Sequence, residues 1–140
     1  MRKGILGMTV VLLIVALMGC AQMGGKGGEQ EGLTGSPVLA VDKAMAPMDS
    51  KGSVQLMGAG FKPGQQINIL FTSKEGSVSN VSWAIKPEPV PNDQGTWSTT
   101  FTYGRYVSRK MVEPGQAYVI TVTDGDYNFL CQVPIGFYAK

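Results

Sequence analysis

The sequence predicts an all-β fold, a sandwich of about seven strands, for residues 37–140. Three observations support this fold class. Apolar residues recur with a period of two, the runs that contain them are short and rich in β-branched and aromatic residues, and turn-forming residues separate them. About seven short strands over roughly 100 residues are typical of a β-sandwich.

The strands are predicted in order along the chain. A short run near Val38–Val41 is the first, and alternating apolar residues mark six more. These are Val54 and Leu56; Ile67, Ile69 and Phe71; Val81, Trp83 and Ile85; Trp97, Phe101 and Tyr103; Tyr118, Ile120 and Val122; and Phe129, Cys131, Val133 and Ile135. Because alternate residues of a strand share a face, we expect these side chains to be buried, with Trp83 among them.

The segments between these runs carry turn chemistry, since proline fixes φ and glycine tolerates positive φ. The turn motifs are Lys62-Pro63-Gly64, Asn92-Asp93-Gln94-Gly95, Glu113-Pro114-Gly115 and Asp124-Gly125. An Asp-Gly pair between two apolar runs is the strongest short hairpin signal, so the last two strands are predicted to form a hairpin.

Three stretches, "GAGFKPGQQINILF", "NDQGTWSTTF" and "PGQAYVITVTD", follow one another in this order. Together they resemble the immunoglobulin-like domains of bacterial secreted and surface proteins, over about residues 54–122. The resemblance implies an immunoglobulin-like sandwich in which Gly58 and Gly60 bend the chain at a sheet edge and Trp97 and Tyr118 fill the core. It implies a fold and no particular function.

Residues 1–19 have the pattern of a secretory signal peptide. Two basic residues precede an apolar run from Ile5 to Met18, and these 14 residues are fewer than the roughly 18 expected of a membrane-spanning helix. The sequence Leu17-Met18-Gly19-Cys20 resembles the lipobox of bacterial lipoproteins. That resemblance implies cleavage before Cys20, a diacylglycerol on its sulfur and an acyl chain such as palmitate on the new amino terminus.

Residues 20–36 are predicted to be the lipidated cysteine and a flexible tether. They are mostly Gly, Gln, Glu, Lys and Ser, which bury too little apolar surface to offset the entropy of ordering. A coil of about 16 residues separates its ends by on the order of 20–25 Å. Ala21 stands where an aspartate would resemble an inner-membrane retention signal. The lipoprotein resemblance therefore implies the bacterial outer membrane, on its periplasmic or cell-surface face.

Removing residues 1–19 leaves 10 basic and 10 acidic residues, because Arg2 and Lys3 are lost from the 12 basic residues of the whole chain. The mature chain is formally neutral. Nucleic-acid binding requires a basic surface to neutralise phosphates, so no nucleic acid is expected as a partner.

The chain contains no histidine, the commonest general base and metal ligand. Asp124, Asp126 and Asn128 alternate as in calcium loops, but Phe129 and Ile135 occupy positions where an EF-hand needs glycine and glutamate. Four further acidic residues lie in turn or linker contexts; they are Glu75, Glu88, Asp93 and Glu113. We predict no catalytic residues, no metal site and no cofactor beyond the lipid on Cys20.

Cys131 would be the only unmodified thiol of the lipidated protein. Its apolar neighbours in alternation predict a buried, structural side chain. The alternative is an intermolecular disulfide or a reactive thiol, as in a small hydrolase or redox protein. An unpaired cysteine in an exported protein is compatible with either.

The stretch "YGRYVSRKMVEPG" is the best candidate for binding a partner. It combines aromatic and cationic residues in a predicted loop between strands, and exposed Tyr and Arg anchor interfaces. The candidates are Tyr103, Arg105, Tyr106, Arg109 and Lys110. An acidic protein face, anionic lipid headgroups and a glycan are the ligands considered. The alternative is a solvated loop with one tyrosine packed inward.

Together these features predict a lipid-anchored cell-envelope module without catalysis that presents loops or a sheet edge to a protein partner. One alternative is a lipoprotein that binds glycan or peptidoglycan through exposed aromatic residues, with Trp83 as the main platform. Another is a subunit of a larger surface structure.

Overall fold

The computed structural model describes residues 36–140, so the predicted signal peptide, Cys20 and most of the tether lie outside the described residues. The elements of the described part are mostly strands. They are β1 (Val38–Val41), β2 (Met45–Pro47), β3 (Ser53–Ala59), β4 (Ile67–Thr72), β5 (Val78–Asn80), β6 (Ile85–Lys86), β7 (Trp97–Thr102), β8 (Ala117–Asp124), β9 (Phe129–Tyr138), the short helix α1 (Gly104–Ser108), and single 3-10 turns at Lys74–Gly76 and Ser82–Ala84. The all-β class is confirmed. None of the helices in residues 36–140 is long and apolar enough to cross a membrane.

The strands form two sheets, one with the order β1-β3-β7-β6 and the other with the order β2-β9-β8-β4-β5. Neighbouring strands are antiparallel except β2 and β9, which are parallel. Sandwiches of the immunoglobulin type divide their strands into ABED and CFG sheets. Here β1, β3, β7 and β6 take the places of A, B, E and D, and β4, β8 and β9 those of C, F and G. The strand topology therefore confirms an immunoglobulin-like sandwich.

Tyr118 lies at the start of β8 and is buried. Its hydroxyl accepts a hydrogen bond of 2.7 Å from the backbone N–H of Glu113, a few residues upstream. A tyrosine at the E–F corner that bonds back to the upstream backbone is a hallmark of this fold. The prediction that Tyr118 fills the core is confirmed, and its hydroxyl also fixes the path of the chain into β8.

Aromatic rings from both sheets meet at the centre of the core. Phe71 from β4 lies 4.6 Å from Tyr106, 5.7 Å from Phe101 and 6.0 Å from Tyr118, measured between ring centroids. Tilted rings at these separations are favourable beyond the area that they bury. Phe71 therefore joins the two sheets and the segment between β7 and β8.

Trp97 is buried at the start of β7, as predicted, and packs edge-on against Phe61 with ring centroids 5.5 Å apart. A Cβ atom on Gly58 would lie 2.2 Å from the Trp97 indole. Gly58 is thus inside β3, where it makes room for the indole, and does not bend the chain. The turn is made by Gly60, whose φ is 80°.

The predicted strand through Val81 and Ile85 is a 3-10 turn at Ser82–Ala84 followed by the two-residue β6. The side chain of Asn80 accepts a hydrogen bond of 2.9 Å from the N–H of Ser82, and this local bond replaces the ladder of a strand. The expectation that Trp83 lies in the core is wrong, because the indole is 51% exposed. Two short strands that the sequence did not predict, β2 and β5, extend the second sheet.

Phe129 was expected on the buried face of the last strand, and this expectation is also wrong. The register shifts by one residue between Val122 opposite Cys131 and Thr123 opposite Phe129, which leaves Leu130 in a bulge. A one-residue shift sends a side chain to the other face, and Phe129 is exposed. Cys131 keeps the predicted inward orientation and is buried.

The Asp124 turn joins β8 to β9, so the predicted hairpin is confirmed. The Oδ1 atom of Asp124 accepts hydrogen bonds of 2.9 Å from the N–H groups of Asp126 and Asn128. Hydrogen bonds from the backbone and side chain of Asn128 hold the pKa of the Asp124 carboxyl below its ordinary value. The carboxylate that resembles a calcium ligand in the sequence thus serves the turn itself.

The described chain enters the sandwich at one end, and α1 lies at the other. Val38, at the start of β1, pairs with Ala59 of β3. The neighbouring residue of β3, Gly58, pairs with Trp97 at the start of β7. The starts of β1 and β7 therefore lie at the same end of the sandwich. Helix α1 follows the far end of β7, about 20 Å away for a strand of this length.

Candidate binding cleft

Residues 103–110 contain a short helix in place of the predicted loop, and Tyr103 precedes it with a fully buried side chain. The Tyr103 hydroxyl donates a hydrogen bond of 2.7 Å to the carbonyl oxygen of Pro47. The ring lies 5.0 Å from that of Phe137. Burial raises the pKa of the Tyr103 hydroxyl. The burial predicted from its alternation with Trp97 and Phe101 is confirmed. The exposure that its predicted binding role needs is absent, because this ring holds the β2–β3 connection to the core.

Tyr106 is also buried, because its ring packs against Phe71. Its hydroxyl is hydrogen-bonded to the Oγ atom of Ser79. The expectation of an exposed tyrosine is wrong here as well. Tyr106 instead forms the floor of a cleft between α1 and the 3-10 turn that carries Trp83.

The three predicted cations are exposed. Arg105 and Arg109 are four residues apart and lie on the same side of α1. The guanidinium carbon of Arg105 lies 5.2 Å from the centroid of the Trp83 indole, a cation–π contact. Lys110 follows the helix with a φ of 58° and does not line the cleft. The structure thus places Arg105 and Arg109 in one cleft with Trp83, a residue that the sequence predicted to lie in the core.

The cleft has a volume of about 270 Å³. It is lined by Ser79, Trp83, Arg105, Tyr106, Arg109 and Met111. Backbone hydrogen bonds hold the wall on the α1 side. The N–H of Met111 donates to the carbonyl oxygen of Tyr106, and the N–H of Lys74 donates to the carbonyl oxygen of Met111, each at 2.9 Å. The cleft is therefore built on tertiary contacts and not on a free loop.

Two ion pairs occur among residues 36–140, Lys74 with Glu113 and Lys140 with Asp49. Neither involves an arginine of the cleft, so Arg105 and Arg109 have no carboxylate partner in the described part of the chain. Two guanidinium groups beside an indole and a thioether suit a carboxylate joined to an apolar or planar group. Across the same residues, no cluster of three or more His, Cys, Asp or Glu side chains could hold a metal ion.

The buried Cys131 leads to a labelling prediction. Burial raises the pKa of its thiol to about 11. At pH 8 roughly one such thiol in a thousand is ionised, against about a quarter for a free cysteine, so we expect alkylation of the lipidated protein to be at least about 100-fold slower than that of free cysteine. Mass spectrometry after iodoacetamide treatment, with and without denaturant, measures this. Rapid labelling of the native protein would restore the reactive-thiol alternative.

Comparisons with known proteins found no matching protein-family model and no matching curated protein. Among solved structures, the chain is similar to Rst D1-D2 (TM-score 0.49, 14% identity, 75% of this chain and 50% of that one). It is also similar to a tetra-tandem repeat in the extending region of a large adhesion protein, with a TM-score of 0.42 and 14% identity over 71% of this chain and 24% of that one. A third similar structure is the archaeal flagellum of Methanospirillum hungatei strain JF1, with a TM-score of 0.41 and 14% identity over 96% of this chain and 90% of that one. The chain spans about half of Rst D1-D2 and about a quarter of the adhesion-protein fragment. These similarities assign no family.

Proposed function

We propose that the chain is a lipid-anchored module of the bacterial outer membrane that binds a protein partner and has no catalytic activity. The observation that carries the binding role is the exposed Trp83–Arg105 pair, with Arg109 beside it, over a cleft floored by Tyr106. Trp and Arg are the residues most enriched where interfaces gain their binding energy. The lipobox resemblance at Cys20 supports the anchor.

The partner that fits the cleft is a protein segment with an acidic side chain next to an apolar or aromatic one. Arg105 and Arg109 offer forked donors that suit a carboxylate, and Trp83 with Met111 offers apolar contact. A volume of about 270 Å³ suits one or two side chains and not an extended chain. Recognition would therefore centre on a short acidic motif.

The position of the cleft suits a tethered binder. The chain enters at the end of the sandwich opposite α1, and a flexible tether of about 16 residues adds on the order of 20–25 Å. A tether of this length would let the cleft reach a protein partner in the same envelope. Anchoring would raise the effective concentration of the module for partners in the same envelope.

The anchor is tested by the substitution Cys20→Ala. We expect it to abolish incorporation of a palmitate analogue and to release the protein from its membrane position, because the sulfur that carries the diacylglycerol is lost. Metabolic labelling and membrane fractionation measure this. Cys131→Ala is the matched control and should retain both the label and the membrane position. Equal labelling of the Cys20→Ala protein would exclude lipidation at this residue.

The cleft is tested by cross-linking the lipidated protein in cells and identifying the attached proteins by mass spectrometry. We expect Trp83→Ala and Arg105→Glu each to reduce the recovered partner about ten-fold or more, which corresponds to about 1.4 kcal/mol of binding free energy. Lys62→Glu makes the same change of charge in the turn before β4, outside the cleft, and should leave recovery unchanged. Full recovery with both cleft variants would show that the partner binds elsewhere, for example at a sheet edge.

Glycan or peptidoglycan binding is the second candidate, and the exposure of Trp83 favours it. The indole stands beside the Tyr106 ring, with centroids 6.0 Å apart, so it could stack against a sugar ring. Under this alternative, Trp83→Ala abolishes retention on peptidoglycan whereas Arg105→Glu retains it. Cross-links to no other protein, together with co-purifying wall material, would also favour it. Cross-links to several components of one assembly would identify a subunit of a larger surface structure.

A further inference from the structure

The connections at the two ends of the sandwich differ in charge. At the α1 end, within residues 36–140, the basic residues are Lys51, Lys74, Arg105, Arg109, Lys110 and Lys140. Of the three acidic residues there, Glu113 and Asp49 are paired with Lys74 and Lys140, and Glu75 is the third. The opposite end has one basic residue, Lys62, and four acidic ones, namely Glu88, Asp93, Asp124 and Asp126. One end is therefore basic and the other acidic.

The β8–β9 hairpin ends at the acidic end, and Asp126 and Tyr127 are adjacent at its tip. Both side chains are exposed. Neither ion pair found in residues 36–140 involves Asp126. An acidic side chain next to an aromatic one is the chemistry that the cleft at the other end would recognise.

Tyr127 has an unusual backbone for a tyrosine. Its φ is 64°, in the left-handed region that glycine usually occupies in hairpin turns. The Asp124 turn fixes this conformation, and the N–H of Tyr127 donates to the Asp124 carbonyl oxygen at 3.1 Å. The Tyr127 hydroxyl accepts a hydrogen bond of 3.3 Å from the Asn80 side chain, yet the residue is 59% exposed. A strained residue that presents an exposed ring points to a use for that ring.

We propose that the hairpin tip of one copy occupies the cleft of the next copy, head to tail, a step that rests on the proposed binding role of the cleft. The Asp126 carboxylate meets the forked donors of Arg105 and Arg109. The Tyr127 ring lies against the Trp83 indole. Because the tip and the cleft are at opposite ends of the domain, the contact repeats in one direction from copy to copy.

Three features favour a second copy over an unrelated acidic protein. The opposite charges of the two ends steer a basic end toward an acidic one, in addition to the contact itself. The cleft volume of about 270 Å³ suits one or two side chains, and the rigid tip offers two. The tip cannot enter the cleft of its own domain, because the length of β8, about 25 Å, separates them.

The contact is small, so its strength depends on the anchor. A hairpin tip in a cleft buries less than the roughly 1,200 Å² of a standard interface and is weak in dilute solution. Copies anchored in one bilayer have a much higher effective concentration. A row of copies lying along the bilayer would let every tether reach it.

Photo-cross-linking of the full chain in cells tests the contact. A benzophenone amino acid at residue 127 keeps an aromatic ring at the tip. We expect a covalent dimer whose cross-linked peptide contains Trp83 or Met111 of the second copy. The same amino acid at residue 57, exposed on the other sheet, is the control and should give no link to the cleft. Links from residue 127 only to another protein, only to another surface of the second copy, or to nothing would overturn the proposal.

Charge reversal gives the second measurement. Asp126→Arg and Arg105→Glu should each reduce the cross-linked dimer at least ten-fold, because like charges then face each other. Mixing the two chains, with the cross-linker in the Arg105→Glu chain, should restore the dimer, because an unchanged tip then meets an unchanged cleft. That restoration also shows that both variants fold. An undiminished dimer with Asp126→Arg in every chain would contradict the proposal.

Failure of this contact is distinguishable from failure of the proposed function. If the cleft binds a different protein, Arg105→Glu removes that protein whereas Asp126→Arg retains it, which overturns the head-to-tail contact and leaves the binding role in place. Palmitate labelling of the same samples reports the anchor independently.

Discussion

Replacement of Phe71 with alanine is expected to lower the free energy of unfolding by about 3–5 kcal/mol, the usual cost of removing a buried aromatic ring. Phe71 is fully buried and contacts rings from β7, α1 and β8. Domains of this size are stable by about 5–15 kcal/mol, so the loss would be a large part of the total. Thermal denaturation of the purified protein should show a melting temperature lower by roughly 15 °C or more.

Phe129→Ala is the matched control, since it deletes the same side chain from an exposed position. Its effect on the dilute protein should stay within about 0.5 kcal/mol. Equal melting temperatures for the two variants would contradict the assignment of Phe71 to the centre of the core and of Phe129 to the surface.

Gly104→Ala is expected to cost about 1–3 kcal/mol of stability and to weaken partner binding at the same time. The new Cβ atom would lie 2.1 Å from the carbonyl oxygen of Ser50 and 2.9 Å from the backbone nitrogen of Lys51. Because these are backbone atoms, α1 or the β2–β3 connection must move. Since Arg105 lies in α1 and Arg109 follows it directly, the displacement reaches both arginines of the cleft. Denaturation and the cross-linking measurement report the two effects.

Gly125→Ala is the control for this substitution. Its Cβ atom would meet the side-chain oxygen of Gln66 at 3.1 Å, and a side chain can move aside. We expect a change within about 0.5 kcal/mol and unchanged recovery of the partner. A Gly104→Ala protein as stable as Gly125→Ala would show that the approach of α1 to Ser50 is not needed for the fold.

The fold could be predicted from the sequence because its signals are local. Alternation in β3, β4, β7 and β8 and the glycine turns between strands depend on neighbouring residues, and both agree with the structure. The errors arose where one local interaction overrode the alternation. The Asn80 side chain replaces a strand with a turn and exposes Trp83, and the Leu130 bulge turns Phe129 outward.

The cleft could be predicted only in part. The cations of residues 105–110 are visible as a cluster, but nothing in the sequence joins them to Trp83, which is 22 positions before Arg105. A loop over residues 103–110 predicts exposed tyrosines, but the segment contains a helix. The alternation of Tyr103 with Trp97 and Phe101 is the better guide, since all three are buried.

The parallel pairing of β2 with β9 and the entry of the chain opposite α1 determine how the domain responds to tension. If the chain is anchored and binds a partner as proposed, a pull between residue 36 and the cleft would run along the strands. The hydrogen bonds of the antiparallel pair β1 and β3 are nearly perpendicular to that direction, and those of the parallel pair β2 and β9 are slanted to it. The bonds of each pair would therefore be strained together and not broken one after another. Rupture then requires several bonds to fail at once, and the domain would withstand force in this direction better than across its sheets.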